Sequence, residues 1–153
     1  MDNIFDKLVS MVDEFDLATM FPSLDSVVGW AVAIARIFLL AAPVAMLILG
    51  LRYRYAPAEK ANYSTGYRFF YGMGSTRAWQ YTQRLAGVIW TILGAALSVL
   101  LLIISLFFGL MDPMTMAGVV IWCMVIELGL VAGSCVYINM QVKKKYDKDG
   151  NER

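Results

Sequence analysis

Three long apolar stretches, at about 27–51, 86–111 and 114–142, divide the 153-residue chain. Each exceeds the roughly 20 residues a helix needs to cross ~30 Å of hydrocarbon at ~1.5 Å per residue. Backbone groups in lipid must bond within their own segment, so each stretch is expected to be a transmembrane helix. Ahead of them, Ile4, Phe5, Leu8, Met11, Val12 and Phe15 recur at helical spacing, with Asp2, Asp6, Asp13, Glu14 and Asp16 mostly opposite. That periodicity predicts an acidic amphipathic helix in the tail 1–25, which Pro22 would end. Between the first two spans lies a polar, aromatic-rich loop, 52–85, and after the third a basic tail, 143–153. The expected fold is an all-α membrane protein: three transmembrane helices, an N-terminal amphipathic helix, and a structured cytoplasmic hairpin between helices 1 and 2.

Composition agrees, with 59% hydrophobic against 16% charged residues, beyond what a soluble domain of this size needs. The basic residues set the orientation. Arg52, Arg54, Lys60, Arg68, Arg77 and Arg84 lie between the first two spans, and Lys143, Lys144, Lys145, Lys148 and Arg153 follow the third. The amino-terminal tail has Lys7 alone, and the turn Asp112-Pro113 has none. The positive-inside rule then places the amino terminus outside, with hairpin and carboxyl tail on the cytoplasmic side. The first 26 residues lack a basic start and a small-residue cleavage site, so the first span reads as an uncleaved anchor. The acidic helix lacks the basic face that binds anionic membranes, so it either rests on the outer interface or docks onto a partner. A net charge of +1 gives no reason to expect nucleic acid; the basic segments read as topology signals and contacts to anionic lipid.

With no histidine in the chain, no zinc or haem ligand set is expected, nor a Ser-His or Cys-His nucleophile. No cofactor and no enzymatic activity are anticipated. Cys123 and Cys135 lie ~18 Å apart along one helix, too far to bridge each other.

Two charges fall inside spans, Arg36 in the first and Glu127 in the third. Each costs ~3 kcal/mol near the bilayer centre. Counted back from Leu51 and Val142, both stand ~22 Å in, so they could pair. Alternatively Arg36 snorkels outward and Glu127 stays neutral in apolar surroundings. Gly29 to Ala33 and Gly129 to Gly133 are small-xxx-small patterns that allow close helix packing, and Pro43 should kink the first span. Three spans are too few to enclose a transport pathway without a homo- or hetero-oligomer.

The hairpin concentrates the polar chemistry. It carries Asn62, Gly66, Tyr67, Arg68, Gly72, Gly74, Ser75, Trp79, Gln83, Arg84 and Gly87. Ser75 or Thr76 suits the cap of a helix running through Trp79 and Arg84 into the second span. Its aromatics fit a headgroup-level belt, which leaves the order of Asn62, Gly66, Arg68, Ser75, Trp79 and Gly87 unexplained. A phosphate-loop ending is absent, and the acceptor pattern Asn62-Tyr63-Ser64 falls on the inner side.

That order resembles the signature of the SdpI family of bacterial membrane proteins: Asn62, then Gly66-Tyr67-Arg68, Ser75, Trp79, Gln83-Arg84 and Gly87 leading into a span. Phe69 stands where the family pattern has Thr, and the path from Arg68 to Ser75 carries the unusual Tyr71-Gly72-Met73-Gly74. The resemblance implies an immunity or signal-transduction role, in which the outer face meets a membrane-active or envelope peptide and the hairpin presents Asn62, Arg68 and Trp79 to a cytoplasmic partner. The alternative is an accessory structural subunit of a larger membrane complex.

Overall fold

The computed structural model describes residues 24–59, 61 and 66–153. The acidic helix expected in the amino-terminal tail, and Asn62, lie outside these residues. Two compact units divide the chain, one ending at Ile34 and one covering Ala35–Arg153. The described part of the first is the opening of a helix; the geometry below belongs to the second.

Three helices account for most of the described chain: α1 Leu24–Tyr55, α2 Thr76–Leu106 and α3 Pro113–Lys145. Each is long and apolar enough to cross a membrane. Their outer faces carry Phe38, Ile48, Ile92, Ile126 and Leu128, all more than half exposed, an arrangement suited to hydrocarbon. Both later helices start as their sequences dictate. The Ser75 Oγ accepts the Ala78 amide at α2, and the Asp112 Oδ1 accepts the Met114 and Thr115 amides at 3.1 and 3.0 Å at α3, with Pro113 in the first turn.

Close backbone approach joins α1 to α2. A Cβ on Gly87 would stand 2.6 Å from the Arg54 amide nitrogen, and one on Gly94 would stand 2.6 Å from that of Leu47 and 2.9 Å from the Pro43 carbonyl oxygen. From the other side, Gly50 abuts the backbone of Trp90 and Thr91. These contacts replace the expected packing through Gly129 and Gly133, which among the described residues have nothing within 4 Å of a built Cβ. Spacing along one helix does not say which face meets a neighbour. α1 continues as helix through Pro43.

Arg36 and Glu127 do not pair: among the described residues no ion pair joins them. The Arg36 Nε donates to the Ser105 carbonyl at 3.2 Å, where the last turn of α2 leaves carbonyls without helical partners and attracts positive charge. Glu127 lies deeper, on a recess shared with Ala42, six residues (~9 Å) along α1 from Arg36. Their equal height assumed that α1 and α3 end level. Instead Gly87 faces Arg54 near the end of α1, whereas Tyr81, six residues earlier in α2, meets Tyr146 at the end of α3. α3 therefore reaches further, and residues equidistant from the two ends lie at different depths.

Candidate functional site

The chain entering the site from α1 is anchored first by an indole. Trp79 is completely buried in α2, and its Nε1 donates to the Ala58 carbonyl at 2.8 Å. The chain returns over the indole at Gly66, whose φ of +108° disfavours any side chain and whose missing Cβ would strike the Trp79 ring and Gln83.

Tyr67 is the hub. Its amide donates to the Gln83 Oε1 at 2.8 Å, and its carbonyl accepts from the Gln83 Nε2 at 2.7 Å, so one buried amide side chain pairs with both polar groups of one peptide residue. Its hydroxyl donates to the Asn139 Oδ1 at 2.8 Å and lies 3.2 Å from the Cys135 carbonyl oxygen. Its ring meets Trp90 edge-on at 5.5 Å, while the Trp90 Nε1 donates to the Ser134 Oγ at 3.1 Å. One loop residue thus ties α2 to α3. Burial pushes the Tyr67 phenol above its ordinary range, which keeps it a donor throughout neutral pH.

Ser75 works beyond its cap, because its hydroxyl also donates to the Gly150 carbonyl at 2.8 Å. The tail after α3 folds to make this possible. Asp147 accepts the amides of Asp149 and Asn151 at 3.0 and 2.8 Å, and those backbone bonds, chiefly from Asn151, hold its carboxyl below the usual range. Lys145 pairs with Glu152 at 3.1 Å. A segment that reads as plain basic charge is therefore a turn folded against the hairpin, and an Asp with polar residues two and four positions on was its sequence signal.

Gly66, Tyr67, Ser75, Trp79, Gln83 and Gly87 are thus brought together as a framework, with Asn139 as a member that the sequence motif did not include. Trp79 is buried rather than presented, since its indole donor is consumed by the Ala58 carbonyl. Arg84 is exposed on α2. Arg68 is also exposed and lines a recess of about 410 Å³ together with Arg52, Tyr53, Leu49, Gly66, Tyr67 and Trp90. Among the described residues, neither the Arg52 nor the Arg68 guanidinium has a hydrogen-bond or ion-pair partner. Two planar, permanently charged donors beside an aromatic wall suit a carboxylate, a phosphate or a row of carbonyls. Sequence pointed to Arg68; Arg52 looked like one topology charge among several.

The model of the SdpI/YfhL protein family matches residues 59–137. No curated protein and no solved structure matches the chain. The matched region contains the whole framework from Gly66 to Gly87, the second span and most of the third, just over half of the chain, and so the protein is a membrane protein that belongs to the SdpI/YfhL family.

Proposed function

We propose that this chain is an SdpI-like binding and immunity protein, multi-pass in a bacterial cytoplasmic membrane, which recognises a membrane-active peptide or envelope partner and relays to a cytoplasmic partner. The observation that carries the reading is the recess bearing Arg52 and Arg68, two guanidinium groups turned outward from a framework otherwise saturated with internal bonds. Rigid support with free polar heads is the arrangement of a recognition surface. Its receptive chemistry is for anionic or carbonyl-rich groups, and binding rather than catalysis is its role.

Cells producing the protein should survive membrane-permeabilising peptides, identified by screening, better than cells without it. Arg68→Gln should remove most of that protection, and Arg68→Lys a substantial part, because an ammonium cannot supply the planar fork. A loss of about tenfold in protective dose is expected at unchanged protein abundance. Full protection by Arg68→Gln and Arg52→Gln would remove the recess from the function.

Orientation is tested separately. Single cysteines introduced for Asn3 and Asp112 should label from outside in intact cells, and one for Asn151 should not; the reverse pattern would invert the topology. The second reading, an accessory subunit, draws on the open face of α3 at Gly129 and Gly133. It predicts a stoichiometric membrane partner that purifies with the protein and is lost on Gly133→Leu.

A further inference from the structure

Glu127 is 4% exposed, and its Oε1 has no hydrogen-bond partner among the described residues. Leaving such an atom unsatisfied costs ~1–3 kcal/mol, so its surroundings decide whether it is a defect or a waiting acceptor. It lines a recess of about 540 Å³ between α1 and α3, walled by Phe38, Ala42, Ile121, Leu128 and Val131. That volume falls within the roughly 300–1,000 Å³ of small-molecule sites, which are mostly apolar with a few placed polar groups. The wall on α3 runs from Ile121 to Val131, ~15 Å of helix, too short for a membrane-crossing partner helix and suited to one slender molecule.

Depth narrows the ligand. Glu127 lies fourteen residues from Pro113 and eighteen from Lys145, ~21 and ~27 Å from the two ends of α3. Lipid headgroups remain at the bilayer edges, and acyl chains bring only hydrocarbon. A ligand that satisfies this acceptor must carry its own donor into the apolar layer. We propose that the recess around Glu127 is a binding site, distinct from the Arg52/Arg68 surface, for a slender lipophilic molecule bearing one hydrogen-bond-donating group, such as an alcohol, phenol, amide or amine.

Dodecanol, dodecylamine and dodecane share one chain and differ in the donor, so they isolate the role of Glu127. The purified full-length protein in detergent is equilibrated with each, bound probe is counted by native mass spectrometry, and the Glu127 carboxyl is then challenged with a hydrophobic carbodiimide. Dodecanol and dodecylamine should bind at about tenfold lower concentration than dodecane. Dodecanol should also slow modification of Glu127, whereas dodecylamine is read by binding alone because an amine would couple to the activated carboxyl. Glu127→Leu should erase the difference between the probes, whereas Glu127→Gln, which keeps an acceptor, should preserve it for dodecanol. Ala42→Phe and Val131→Phe fill the recess from opposite walls, and either one that retains the wild-type elution profile should abolish binding of all three.

Equal binding of dodecane and dodecanol to the wild type would make the recess merely greasy and overturn the proposal. Absence of binding by any probe would do so as well. A copurifying polypeptide that keeps Glu127 unreactive before any probe is added would put a protein segment in the recess instead, and would equally overturn it.

Discussion

Gln83→Met will be among the most damaging single substitutions in the chain, although methionine nearly matches glutamine in length and suits an apolar site. Gln83 is completely buried, and its amide makes both hydrogen bonds to the backbone of Tyr67, at 2.8 and 2.7 Å. Methionine fills the volume and leaves a buried N–H and a buried C=O without partners. Each orphan costs ~1–3 kcal/mol, so a loss of about 3–5 kcal/mol is expected. For a chain of this length that corresponds to roughly 6–20 °C in apparent Tm, measured by thermal unfolding in detergent. Tyr67→Phe, which removes only the hydroxyl bond to Asn139, should cost ~1–2 kcal/mol. A Gln83→Met protein within ~1 kcal/mol of the wild type would show that the hairpin is held by packing alone.

The same residue shows what was legible in the sequence. The three spans were readable because hydrocarbon thickness imposes a minimum run of apolar residues that little else in a small protein produces. The start of α2 was readable because Ser75 is a cap residue immediately before a helical run. The motif, with its fixed order from Gly66 to Gly87, was readable as a family resemblance, and the family match carries it. Roles within the motif were not, since they depend on which face of a helix points inward. Trp79 looked like a presented aromatic, but one turn later Gln83 lies on the same buried face and holds the returning loop over it. Asn139 and Gly150 were invisible because their partners, Tyr67 and Ser75, are about seventy residues away in sequence. Arg36 and Glu127 invited pairing because depth was counted from helix ends that the fold does not align.

Gly94→Leu should be the most disruptive change in the spans, and Gly133→Leu among the mildest. Even a single methyl on Gly94 would stand 2.6 Å from the Leu47 nitrogen and 2.9 Å from the Pro43 oxygen. Those are backbone atoms of α1, which cannot rotate away as a side chain would, so α1 and α2 must separate. Overpacking in a core costs ~1–3 kcal/mol when side chains yield, and here more is expected, read as loss of protein that accumulates in membranes. Gly133→Leu adds its bulk where none of the described residues lies within 4 Å, so its effect on the isolated protein should stay within ~0.5 kcal/mol. The contrast reaches the recognition surface. The contact of Gly87 with Arg54 holds the end of α1 against α2 two residues beyond Arg52, so a milder wedge, Gly87→Ala, should displace Arg52 from Arg68 and reduce protection before it reduces abundance. If Gly133→Leu proves destructive and Gly94→Leu harmless, α3 rather than α1 makes the close helix contact, and the recess beside Arg68 does not have the walls described.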